Sequence, residues 1–188
     1  MKPGNTWINI VTDIMDPELE KKNKLRNQIS ALRSGNRTAI LVTLKEIRRE
    51  GDVSILPELF NLLIDQEDTQ LVAETCSLLN DLKDQEAASI LASAITNPEY
   101  KGIIQILVAA CWQNGLSYGH YLDQFVQVAV KEDYATAIEA FTVIEGAIGE
   151  VEQDQRNRSV EIIQAHLPAS DDQKKSLLRE LVKVIEGY

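Results

Sequence analysis

The chain has 188 residues and 21.0 kDa, with 29 acidic and 19 basic side chains, two Cys and two His. An apolar content of 44% suffices for a buried core, whereas two Cys exclude both a disulfide framework and a four-thiolate zinc site. Nine Gly, five Pro and 5% aromatic residues are too few for a many-turned β-sandwich, and no apolar run reaches the roughly 18 residues of a membrane span, so an all-α chain is expected.

In chain order, Trp7, Ile8, Val11, Ile14 and Met15 fall on one helix face, which predicts an amphipathic capping helix over residues 1–16. The start shows no uninterrupted apolar stretch or small-residue cleavage site, so no signal peptide is read and a cytoplasmic location is expected. Asp16-Pro17 offers an N-cap followed by Pro at the first helical position, opening a helix with the register Leu25/Gln28/Leu32. After the break Ser34-Gly35-Asn36 comes Ile40/Leu44/Ile47, and after Gly51-Asp52 come Leu56/Leu59/Leu63 and then Val72/Cys76/Leu79. Ala88/Leu91/Ile95 precedes Asn97-Pro98, and Ile104/Val108/Cys111 precedes Asn114-Gly115. Leu122/Phe125/Ala129 and Ala137/Phe141/Ile144 follow, then an irregular stretch near Glu150 to Arg158. Val160/Ile163/Leu167 leads to Pro168-Ala169-Ser170, where Ser170 and Gln173 have the spacing of a capping box before Leu178/Val182/Ile185.

These registers repeat. Triples spaced i, i+4, i+7 begin at Ile40, Val72, Ile104 and Ala137, separated by 32, 32 and 33 residues, with a fifth 41 residues later at Leu178. Triples spaced i, i+3, i+7 begin at Leu56, Ala88, Leu122 and Val160, separated by 32, 34 and 38 residues. Two kinds of helix alternating at a period near 33 predict a helical-hairpin solenoid of about five antiparallel pairs. The expected single domain, 1–188, divides into the cap 1–16 and units 17–50, 52–83, 85–115, 118–149 and 154–188.

The segment Ile55-Leu56-Pro57-Glu58-Leu59-Phe60-Asn61-Leu62-Leu63-Ile64-Asp65, followed by Val72 and the run Cys76 to Leu82, resembles a HEAT repeat. Pro57, Asp65 and Val72 match the family's Pro near the start of the first helix, its closing Asp, and the Val that opens the second helix. Where the family often has a basic residue after that Val, this chain has Leu41, Ala73 and Gln105, and only Pro57 supplies the Pro. The resemblance implies a right-handed α-α superhelix whose second helices line a concave side, a shape used mainly for binding.

Charge is unevenly spread. Residues 17–50 carry nine basic and four acidic side chains, 51–100 one and ten, and 101–155 two and eight. Phosphate neutralisation would require a basic face, so nucleic acid is disfavoured as a partner.

For chemistry the sequence offers little. His120 and His166 lie too far apart for a helix-spaced metal pair, and Cys76 and Cys111 sit in core registers. No nucleotide-binding glycine loop or nucleophilic triad is legible, so no catalytic residue, metal or cofactor is expected.

Positions opposite the core triples of the second helices are Val42/Lys45/Arg49, Glu74/Ser77/Asp81, Ile106/Ala109/Gln113 and Glu139/Thr142/Gly146. In a HEAT-like stack they line the concave face, and Lys45, Arg49, Glu74, Asp81, Ile106, Gln113 and Glu139 are the candidate partner-binding residues. Ile103 to Trp112 is apolar nearly all round; enclosure by neighbouring helices is the simpler account, a recognition patch with Ile106 and Trp112 the alternative. Trp112, Tyr118 and Tyr121 could likewise form an aromatic cluster, with packing between helices again simpler.

The expected role is a non-enzymatic interaction scaffold that takes a protein or peptide with a basic segment, without membrane association. Pairing of the basic N-terminal third with the acidic middle of a second copy is a further expectation. The alternative is a HEAT-like enzyme of the alkylated-base DNA glycosylase or bilin lyase type; the acidic groove argues against the first, and the second leaves no testable motif.

Overall fold

Ten α-helices joined by turns and short 3₁₀ segments account for residues 17–188, the part of the chain that the computed structural model describes, and no strand occurs among them. The chain is all-α there, as its composition predicts. The proposed cap over 1–16 lies outside the described residues. The helices are α1 (Pro17–Leu32), α2 (Arg37–Glu50), α3 (Leu56–Leu63), α4 (Thr69–Asn80), α5 (Glu86–Ala94), α6 (Ile104–Asn114), α7 (Leu122–Lys131), α8 (Tyr134–Ala147), α9 (Gln153–His166) and α10 (Asp172–Glu186). None of these described helices is long and apolar enough to cross a membrane.

Side-chain caps start the helices where the chain turns polar. Asn36 accepts from the Ala39 amide at 3.1 Å, Asp133 from Thr136 at 2.8 Å, and Asp68 from both Gln70 and Leu71. At α10 the cap is Asp171, which accepts from the Lys174 amide at 2.9 Å, not Ser170. Ser170 instead donates its hydroxyl to the His166 carbonyl at 3.1 Å, so it closes the preceding helix rather than opening the next. α6 stops at Gly115, whose φ of +69° is left-handed and suits a residue without Cβ.

Adjacent helices pack as α1 on α2, α3 on α4, α5 on α6, α7 on α8 and α9 on α10. Each even-numbered helix also touches the next even one, from α2 to α10, and each odd-numbered helix the next odd one, from α1 to α9. The apolar registers explain this double row. Leu56/Leu59/Leu63, Ala88/Leu91/Ile95, Leu122/Phe125/Ala129, Ile40/Leu44/Ile47 and Ile104/Val108/Cys111 are all buried. In α4 the buried stripe is turned by one residue: Leu71, Thr75, Leu78 and Leu79 are enclosed, while Val72 and Cys76 are half-buried. A helix flanked on both sides buries a stripe wider than three positions, and Thr75 tolerates this because its hydroxyl donates to the Leu71 carbonyl at 2.8 Å. Burial pushes the Cys111 thiol up to about 12 and raises that of Cys76, so both resist ionisation at neutral pH.

Polar rungs join residues about one period apart. Arg37 pairs with Asp68 and donates to Gln70, Arg48 pairs with Asp81, and Asn80 donates to Gln113 at 2.7 Å; these partners are 31 to 33 residues apart. Gln85 exchanges two bonds with the Ser117 backbone, and Ser117 donates to Glu150, at separations of 32 and 33. Five of the nine basic side chains in 17–50 (Lys21, Lys24, Arg33, Arg37 and Arg48) are held in ion pairs within the chain.

One rung makes an acid-sensitive contact. Asp52 accepts from Lys21 Nζ at 2.6 Å and from the Ser54 amide at 2.9 Å, and these bonds, led by the one from Lys21, hold its carboxyl at about 2 rather than 3.8. A carboxyl depressed by folding adds stability above its unfolded value and loses it as pH falls toward the folded one. Between pH 4 and 2, Asp52→Asn is therefore expected to flatten the acid decline, by less than about 1 kcal/mol because Lys21 is open to solvent. Urea midpoints of both proteins at pH 5 and pH 2.5 would measure it; parallel declines would refute it.

Candidate interaction surface

The even-numbered helices contact one another in series, and the candidate residues on and beside them differ in exposure. Lys45 and Arg49 are exposed on α2, and Glu74 is half-buried on α4. Asp81, just beyond α4, is exposed but held by Arg48, and Gln113 on α6 accepts from Asn80. Ile106 is half-buried, packed against the core. Glu139 on α8 is half-buried and accepts the indole N–H of Trp112 at 2.5 Å.

The nearly all-apolar helix α6 divides between the two accounts. Ile104, Leu107, Val108 and Cys111 are enclosed, whereas Trp112 is 45% exposed. Lying one position after Cys111, the indole falls on the edge of the buried stripe and reaches toward α8. The aromatic cluster does not form among the described residues: Tyr118 packs edge-on against Phe125 at 5.3 Å and shares hydrogen bonds with Asn114. His166 sits at the end of α9 with Nδ1 2.8 Å from the Ile162 carbonyl, and His120 is exposed. Among the described residues, no three His, Cys, Asp or Glu side chains converge as a metal site requires.

A groove of about 480 Å³ runs between the C-terminal ends of α6 and α8, lined among others by Trp112, Ser117, Thr142, Glu145, Gly146 and Glu150. It contains two carboxylates and no basic side chain. A second groove, of about 260 Å³ between the ends of α2 and α4, is mixed in sign, with Arg48, Arg49 and Lys83 beside Glu50, Asp52, Asp81 and Asp84. The contrast follows from the sequence: residues 84–155 hold eleven acidic and two basic side chains. Among the described residues, none of those acids is in an ion pair.

Two features escape sequence reasoning. The tether between Trp112 and Glu139 joins residues 27 apart, off the 33-residue period, and carries no local signal. Lys174 is 8% exposed and hydrogen-bonded to the C-terminal carbonyls of α7; its signal is legible, because the apolar register of α10 extended back four residues from Leu178 lands on it.

Gly146 lies inside α8 with open space where a Cβ would stand. Gly146→Ala is expected to raise stability by about 0.5–1 kcal/mol, read as a Tm increase of about 1–4 °C. A fall in Tm would show that this position needs glycine. Set against known proteins, the chain matches no family model and no curated protein.

Proposed function

We propose that this chain is a non-enzymatic interaction scaffold, a HEAT-like right-handed superhelix of five helix pairs that receives a protein or peptide along its even-numbered helices. The alternation of two apolar registers, the two rows of like helices and the rungs at 31 to 33 residues support the repeat reading. One observation carries the functional reading: the exposed Trp112 stands in the stretch 84–155, where eleven acids face two bases and, among the described residues, none of those acids is in an ion pair. Aromatic side chains are enriched where partners dock, and an uncompensated field of one sign steers a partner of the other. A basic protein segment fits that field; nucleic acid, itself an anion, does not. Self-association through the basic third is the weaker reading, because five of its nine cations are engaged in cis.

The test is to place a photo-crosslinking amino acid at Ser77 or Thr142 on the even row and at Ser89 or Gln164 on the odd-numbered helices. Partner adducts from native lysate are expected from the even row and to fade at high salt. Adducts confined to the odd-numbered positions would overturn the reading.

A further inference from the structure

We infer that the groove between α6 and α8 is a receptor for one arginine side chain presented by a basic peptide segment, seated over the Trp112 ring between carboxylates. This deepens the scaffold reading and rests on it. The indole is 45% exposed, yet its orientation is fixed before any partner arrives, because its N–H donates to Glu139 at 2.5 Å. A solvent-exposed aromatic ring held in place attracts a cation through the ring quadrupole, and a planar guanidinium stacks on such a ring better than an ammonium does. Glu145 and Glu150 lie among the groove's lining residues, and the Ser117 hydroxyl bonds Glu150, which steadies one acceptor for the fork of guanidinium N–H donors. The site is roomy because Gly115 and Gly146 bring no side chain to it, and a Cβ at either would meet nothing within 4 Å. No basic residue lines it, so its charge is left for a guest.

The full chain carrying Trp7→Phe has Trp112 as its single indole. This protein is titrated with a hexa-arginine amide, and with hexaglutamate as control, while fluorescence and the indole N–H resonance are followed. Expected are saturable quenching and a moving indole resonance with the arginine peptide alone, with affinity about tenfold weaker in high salt. Glu145→Gln with Glu150→Gln should weaken binding at least about fivefold, and Trp112→Leu, which has no indole to report and is followed by isothermal titration, by a similar factor. Gly146→Gln fills the groove from a position with space for it, so Tm should hold while the indole response disappears.

Arginine-peptide binding with an unmoved indole resonance, or an undiminished response in Gly146→Gln, would overturn the site. If crosslinks from Ser77 and Thr142 still capture a partner in that case, the scaffold reading stands without the pocket. If the crosslinks map to the odd-numbered helices, the scaffold reading falls by itself.

Discussion

Phe125→Ala is expected to cost about 3–5 kcal/mol, the largest loss of any single change considered. The ring is fully buried in α7, and it stands edge-on to Tyr118 with centroids 5.3 Å apart and planes at 78°. Truncation removes the transfer energy of the ring and the edge-to-face contact, and leaves a hole between helices already committed to other neighbours. α7 touches α5, α8 and α9, so none of these can move into the space without breaking a second contact. Phe60 also meets a tyrosine ring edge-on, Tyr100 at 5.4 Å and 77°, although the two pairs are spaced differently along the chain. Urea denaturation followed by circular dichroism gives the number, and a loss below about 2 kcal/mol would mean that the site collapses onto the vacancy. Trp112→Ala, by contrast, should cost under about 1 kcal/mol, because the residue is already 45% exposed. Hydrogen exchange adds a spatial check: because α7 packs on α5, α8 and α9, Phe125→Ala should deprotect those helices before α1 and α2.

Part of this was legible because burial repeats with the helix period. Leu56/Leu59/Leu63 and Ala88/Leu91/Ile95 sit where their spacing puts them, with every member enclosed. The register slips where one stripe does not describe the contact. In α4, packed between α2 and α6, Leu71 and Thr75 take positions expected of Val72 and Cys76, since hydrophobicity does not reveal which of two adjacent columns faces the pair of neighbours. Ser170 and Asp171 are both competent caps, and the choice between them turned on a bond from Ser170 back to His166, which depends on where α9 ends. At the candidate surface the sequence pointed to Glu139 and to the even row but not to what they contact. Asp81 and Gln113 proved to be rungs, and Glu139 a tether for an exposed ring. Contacts between units depend on the angle at which helices cross, and no local pattern encodes that angle.

Lys174→Ala is expected to cost about 2–4 kcal/mol, an unusual sensitivity for a lysine. Its ammonium donates to the Val130 carbonyl at 2.9 Å and to the Glu132 carbonyl, where α7 ends, while its amide is capped by Asp171. A cation there offsets the partial negative charge of the helix end and satisfies carbonyls that α10 shields from water. Lys174→Met keeps the apolar stem but strands those carbonyls, so its cost, about 1.5–3 kcal/mol, isolates the hydrogen bonds from the packing. The pH dependence separates this role from simple volume. Desolvation lowers the lysine below its ordinary 10.5, against the pull of Asp171, Glu132 and Asp133. The unfolded chain thus keeps its proton to higher pH than the folded one, and in that alkaline interval the linkage favours the fold increasingly as pH rises. Wild-type stability should therefore gain on Lys174→Met between neutral pH and 10.5, measured by urea midpoints at stepped pH. An equal or narrowing gap would place the ammonium in water instead of in the joint between α7 and α10.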